Sequence, residues 1–234
     1  LERMRGRRAK IATNDSQERF ESLGVDVVRG EARFVSPHEI EVTTSPSPQS
    51  SPRSAQPRSR GGREAPDEGR RLRAKNFVIA TGSHAAIPKI EAIDTVPYFT
   101  NETIFDELKG KPESMIVLGG GPIGCELAQT FRRLGVEVTI IQRGEQLLPR
   151  EDRDVAEFLE RRLINEGVRI IKNADARSVA TSDAGKVALE FLDRQSARLA
   201  ERTFFADALL IATGRTPNFR RLDLKSARID VNES

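Results

Sequence analysis

The residues best suited to chemistry in this sequence are glycines. Gly119-Gly120-Gly121-Pro122-Ile123-Gly124 fits the spacing G-x-G-x-x-G. That spacing points to dinucleotide phosphates when it follows a strand and opens a helix. Its flanks meet both conditions. Met115–Leu118 is a short all-apolar run, and Pro122–Leu134 reads as a helix with Pro in its first turn and Gly135 beyond its end. In this setting Gly119 allows the tight turn, and Gly121 lets backbone approach a pyrophosphate with no Cβ in the way. Gly124 lets the helix pack closely on the strand. The helix N-terminus then offers unpaired N–H groups and the positive end of its dipole to the phosphates.

The next strand, Val136–Ile141, ends at Gln142-Arg143. A carboxylate at that point accepts hydrogen bonds from the adenine-ribose hydroxyls of NAD, and it would repel a 2′-phosphate. Gln142 does not repel one, and Arg143 is placed to pair with it. NADPH is therefore expected over NADH. Two further segments repeat each other: "NFVIATGS" (Asn76–Ser83) and "ALLIATGRTPN" (Ala208–Asn218), each a buried-type strand running into Ala-Thr-Gly. A glycine at the carboxyl edge of a strand admits close approach by a cofactor or another backbone. The repetition suggests two nucleotide-binding units.

The elements that must position these residues alternate strand and helix. Asp152–Glu166 reads as a helix stopped by Gly167, and Val168–Ile171 as the strand after it. Ala174–Ala180 and Val187–Asp193 read as an antiparallel pair around the turn signal "SDAGK". The expected fold is α/β: a Rossmann-like, doubly wound parallel sheet with an antiparallel β excursion. Upstream, Arg5–Leu23 reads as a helix with Gly24 at its C′ position, Val25–Arg33 and His38–Val42 as strands, and Phe77–Ala80 as a short buried strand. "NETIFDEL" reads as a short helix capped by Asn101 or Thr100. Between Ser45 and Arg71 the chain turns to Ser, Pro, Arg and Gly, with too little apolar surface to offset ordering, and is expected to be a flexible insertion.

Composition excludes several classes. One cysteine, Cys125, permits neither an intramolecular disulfide nor a cysteine metal cluster, and the two histidines, His38 and His84, have no ligand spacing. No metal is expected. No apolar run is long enough to span a bilayer. The segment from Ser45 to Arg71 carries six arginines against Glu64, Asp67 and Glu68, which accounts for the whole net charge of +3. The remainder is neutral, so neither nucleic acid nor membrane is an expected partner. The lack of disulfides fits the cytoplasm.

Four segments in order resemble the pyridine nucleotide-disulfide oxidoreductases, and mercuric-reductase-like members among them. They are "ERMRGRRAKIATNDSQERFESLGVDVVRGEARFVSP", "KNFVIATGSHAAIPKI", "FDELKGKPESMIVLGGGPIGCELAQTFRRLGVEVTII" and "DALLIATGRTPN". The resemblance implies an FAD-dependent oxidoreductase that passes hydride from NAD(P)H to the flavin and then to a disulfide or related acceptor. It implies a partial FAD-binding domain at 1–114, an NAD(P)-binding domain at 115–214 and a return segment at 215–234. Ala32, Thr81, Gly82 and Ser83 match positions whose backbone meets FAD. Glu126 matches an acidic residue near the nicotinamide. Ala176 and Gly214 match positions lining the NAD(P) groove, and Arg143 matches an NADPH-selecting arginine. The family's upstream FAD glycine motif, its C-x-x-x-x-C redox pair and its dimerisation domain have no counterpart here. The expectation is an internal fragment, inactive alone, of an enzyme that dimerises through a domain outside it and acts on a small-molecule or disulfide substrate. Two alternatives stay open: a flavoprotein NAD(P)H oxidase or ferredoxin reductase-like enzyme without a disulfide, and a non-catalytic nucleotide-binding module.

Overall fold

The structure is a computed structural model describing residues 2–43, 69–194 and 200–232. The chain divides into two compact units, one of residues 1–82 with 217–234 and one of residues 83–216.

The first unit begins with α1 (Glu2–Ala12) and α2 (Gln17–Ser22) in place of one continuous helix. Ser16 lies between them in extended backbone, and its hydroxyl accepts from the Arg19 N–H at 3.3 Å. Serine offers the backbone this alternative to continuing a helix, so the expected helix is broken at its cap. Gly24 follows α2 with φ +84°, as a C′ glycine should. The strand expected from Val25 starts only at Glu31. β1 (Glu31–Ser36), β2 (Glu39–Thr43) and β3 (Arg70–Arg73) form an antiparallel sheet in that order. Arg70 and Arg71, grouped by composition with the Ser/Pro/Arg stretch, are therefore strand residues. Arg71 lies 3.6 Å from each of the Glu39 and Glu41 carboxylates across the ladder. Residues 45–68 of that stretch fall outside the described residues.

Phe77–Ala80 corrects a second expectation. It enters no ladder, and Val78 and Ile79 are 91% and 42% exposed. A buried strand of that composition needs paired neighbours and cover on both faces. The sheet that the described residues of this unit form is the three-stranded meander, and Phe77–Ala80 does not join it. Phe77 instead meets Phe34 edge-on at 5.2 Å.

The second unit runs β4 (Ser83–Ala85), β5 (Phe99–Thr100), α3 (Ile104–Glu107), β6 (Ser114–Leu118), α4 (Pro122–Arg133), β7 (Glu137–Ile141) and α5 (Arg153–Asn165). It continues through β8 (Arg169–Ile171), β9 (Ala174–Thr181), β10 (Val187–Asp193), β11 (Ala200–Ala206) and β12 (Ala208–Ile211), and β13 (Arg215–Pro217) follows. α3 has no side-chain cap. Thr103 instead accepts from the Thr100 N–H at 3.1 Å.

A five-stranded parallel sheet, ordered β5-β12-β6-β7-β8, is the centre. Met115, Val117, Val138, Ile140, Ala208 and Leu210 face one way and pack with Leu127, Ala128 and Phe131 of α4 and Leu163 of α5. Ile116, Leu118, Ile141, Leu209 and Ile211 face the other way, onto Val179, Val187, Leu189 and Phe191 of the antiparallel sheet β9-β10-β11. Both faces are covered, which is why the parallel strands read as unbroken apolar runs. β11 was not foreseen: "AERTFF" alternates poorly, and the strand is set by its register against β10.

Candidate functional site

The parallel strands β6, β7 and β12 end level with one another, since Leu118 pairs with both Ile141 and Ile211. From central β6 the chain moves out to β7 and β8 on one side, then returns to β12 on the other. The edge beyond β6 and β12 is thus a topological switch point, where open α/β sheets bind ligands. The glycine turn sits there.

Each glycine has its own reason. Gly119 has φ +109°, and a Cβ on it would lie 2.4 Å from the Ala212 carbonyl oxygen. The turn is therefore seated against the end of β12. A Cβ on Gly124 would lie 2.0 Å from the Gly119 carbonyl oxygen, so α4 packs onto the turn itself. Gly120 is closed by Leu147, whose Cδ2 would stand 2.4 Å from a Cβ there. Gly121 faces open space, with nothing within 4 Å of a Cβ position. It is also the N-cap of α4 and gives the helix no side-chain cap. With Pro122 at the first helical position, the remaining first-turn N–H groups of Ile123 and Gly124 have no intrahelical acceptor. An open glycine beside an uncapped helix N-terminus fits a phosphate group.

The following side chains divide by burial. Cys125 is buried, its Sγ 3.5 Å from the Gly120 carbonyl, and burial pushes the thiol up to about 11. It is a packing residue and no nucleophile near neutral pH. Glu126 is exposed on α4.

Gln142 is 9% exposed and is engaged inside the protein. Its Oε1 accepts from the Gly120 N–H at 2.9 Å, and its Nε2 donates to the Gln146 carbonyl at 3.1 Å. Gln146 Nε2 donates to the carbonyls of Leu148 and Glu151 at 3.3 and 3.1 Å. The Leu148 N–H donates back to the Gly120 carbonyl at 2.8 Å. Gly120, Gln142, Gln146 and Leu148 thus close a ring of hydrogen bonds that ties the 143–151 loop to the glycine turn. Arg143 stands exposed at the start of that loop, with no ion pair found for it among the described residues. Gln146 and Leu148 are absent from the sequence-based site. The only signal for them was the polar residue Gln146 four positions beyond Gln142.

The two Ala-Thr-Gly segments have partners in the residues that follow the second. Arg215 donates from Nε to Ser83 Oγ at 2.7 Å, from Nη1 to Asn101 Oδ1 at 3.1 Å and from Nη2 to Glu102 Oε1 at 3.0 Å, and it also reaches the Ser83 carbonyl. Asn218 donates to the carbonyls of Thr81 (from Nδ2, 3.1 Å) and Gly82 (from its backbone N–H, 3.0 Å). Neither Arg215 nor Asn218 was among the expected site residues. Gly214 is exposed with φ +151°, and its carbonyl accepts from Ala86 N–H at 3.0 Å. Ala176 is half-buried on β9 opposite Phe191. Ala32 is half-buried on β1 opposite Val42. The structure therefore gathers Gly119–Gly124, Gln142 and the approach to Gly214 at one sheet edge. Among the described residues no group of three metal-ligating side chains occurs, and no helix is long and apolar enough to cross a membrane.

Comparisons with known proteins agree with one another. The family described as "Pyridine nucleotide-disulphide oxidoreductase" matches residues 6–234. A mercuric reductase of Lysinibacillus sphaericus is 32% identical over 215 residues, covering 92% of this chain and 34% of that protein. The probable pyridine nucleotide-disulfide oxidoreductase RclA of Escherichia coli is 32% identical over 209 residues, covering 89% of this chain and 41% of its own length. A solved structure of that flavoprotein disulfide reductase superposes with a TM-score of 0.70 at 27% identity, covering 97% of this chain and 46% of that one. The chain spans about a third of the length of the mercuric reductases it matches.

Proposed function

The chain belongs to the pyridine nucleotide-disulphide oxidoreductase family, and from that premise we propose that it is the NAD(P)H-binding portion of an FAD-dependent oxidoreductase, with NADPH preferred over NADH. The observation that carries the proposal is the switch-point turn, where open Gly121 meets an uncapped helix N-terminus. In this reading Gly119–Gly124 and the first turn of α4 hold the pyrophosphate, and Ala176 and Gly214 line the groove. Arg143 pairs with the 2′-phosphate, and Glu126 lies toward the nicotinamide. Bound NADPH supplies the hydride. What the chain contributes is binding and orientation, which account for much of catalysis when a cofactor carries the chemistry. Ala32, Thr81, Gly82 and Ser83 belong, in the same reading, to the FAD side of the whole enzyme. The division at 1–114, 115–214 and 215–234 follows the same assignment. The whole enzyme passes electrons on to a disulfide or related small acceptor and works as a homodimer in the cytoplasm.

Titration calorimetry of this chain with each nucleotide tests the preference: NADPH binds more tightly, and equal affinities or a preference for NADH would overturn it. Arg143→Glu lowers NADPH affinity by about tenfold or more and leaves NADH binding unchanged, because one charge-assisted contact becomes a like-charge repulsion. Hydride delivery is read in the full-length protein by anaerobic bleaching of bound flavin on adding NADPH. A flavin that stays oxidised refutes it.

A further inference from the structure

We propose that Gln142 is a positioning residue for nucleotide selection: without touching the nucleotide, it fixes the Arg143-bearing loop against the phosphate turn. The inference rests on the NADPH reading above and adds the means by which the preference is set. Its ground is geometric. The Gln142 side chain meets a donor at one end and an acceptor at the other, the Gly120 N–H at 2.9 Å and the Gln146 carbonyl at 3.1 Å. A carboxamide satisfies both whereas an ionised carboxylate can only accept, and the pair of partners fixes which end of the amide points where. With Gln142 9% exposed, neither end is turned out for a ribose.

The rest of the ring strengthens the clasp. Gly120 gives its N–H to Gln142 and takes the Leu148 N–H on its carbonyl, so both of its backbone groups hold the loop. Leu147, fully buried, occupies the space that a side chain at position 120 would need. Gly144 lies close beneath the amide, since a Cβ there would stand 3.2 Å from Gln142 Nε2. Leu148 is held at φ +47°, a conformation that a branched side chain adopts only when its surroundings over-determine it. Arg143 follows directly on this anchored amide. Its backbone is thereby placed relative to the turn before any nucleotide arrives, and pre-placement reduces what binding must spend on ordering.

A glutamate in place of Gln142 keeps an acceptor for Gly120 but presents oxygen lone pairs to the Gln146 carbonyl. A methionine keeps the volume and removes both bonds. Hydrogen exchange on the nucleotide-free chain reads the clasp directly. Gln142→Met and Gln142→Glu both raise exchange over 143–151 by about tenfold, the worth of one or two buried hydrogen bonds. Far-UV circular dichroism shows that the fold persists, and whichever variant keeps it carries the test. The NADPH-to-NADH affinity ratio separates positioning from plain structural support. Gln142→Met lowers the ratio in the wild-type background and leaves it unchanged in an Arg143→Ala background, because the two residues act as one unit. Unchanged exchange overturns the proposal, as does an unchanged ratio. If the wild-type chain itself shows no NADPH preference while exchange rises as expected, the NADPH reading fails and the clasp stands as structure only.

Discussion

At Gly124 a single methyl group has nowhere to go. A Cβ would stand 2.0 Å from the Gly119 carbonyl oxygen, and that oxygen belongs to backbone that is itself seated on Ala212. Gly124→Ala therefore destabilises the protein by roughly 3 kcal/mol, the upper part of the range for forced overpacking, and removes NADPH binding. Urea unfolding and calorimetry check both, and an unchanged midpoint would refute the described turn. The contrast with Gly121 is instructive. Its substitution would meet no protein atom, so Gly121→Ala should leave the midpoint alone and act on the nucleotide only. The motif assigns different tasks to the two glycines, and their surroundings differ accordingly: Gly124 has no room for a Cβ, and Gly121 has nothing within 4 Å of one.

Between elements, Glu166 joins the two helices. It sits just past α5 and accepts from Arg133 Nε and Nη2 at 2.7 and 2.8 Å, from Arg162 Nε at 2.6 Å and from Gln129 Nε2 at 3.1 Å. The hydrogen bonds from Arg133, followed by those from Arg162, hold its carboxyl down to about 2 from an ordinary 4.5. A carboxylate lowered by folding stabilises the folded state above its unfolded value and loses that contribution as pH falls through the folded one. The stability advantage of the wild type over Glu166→Gln is thus full above about pH 5 and shrinks toward pH 2. Urea midpoints of both proteins across that range are the measurement, and a difference that does not change with pH would be inconsistent with the clamp. This clamp was invisible in the sequence, since nothing in the spacing of Arg133 and Glu166 marks them as partners. The helices and parallel strands were legible because apolar period, Pro122, Gly135 and Gly167 all agreed. The failures share a cause. Phe77–Ala80 and Ser16 were judged by local composition, whereas a buried strand depends on neighbours and a helix end on a capping competition. The carboxamide at 142 was legible as a missing acid, and its two hydrogen-bond partners were not.

For the whole chain, burial is uneven. Residues 83–216 contain both large apolar clusters, one on each face of the parallel sheet. The other unit buries Phe34, Val42 and Ala227, while Ile11, Phe20, Leu23, Val25 and Val78 are exposed. Segments with few buried apolar contacts open first. Limited proteolysis of the full chain should cut within 1–82 and 217–234 and leave a resistant core close to 83–216, identified by mass spectrometry. NADPH should slow any cleavage inside that core and have little effect outside it. Early cleavage in β6, β7 or β12 would contradict the described burial.

The seat of Gly119 on Ala212 has a consequence for how the protein comes into being. Synthesis proceeds from the N-terminus, so the turn at 119–124 leaves the ribosome with β6 and α4, long before its support arrives. β12 is the last strand of the parallel sheet to be made. Until it inserts beside β6, the turn lacks the backbone it rests on. The glycine turn is contiguous in sequence, yet the backbone it rests on is made last. On the reading proposed above, nucleotide binding would therefore report closure of the sheet by its final strand.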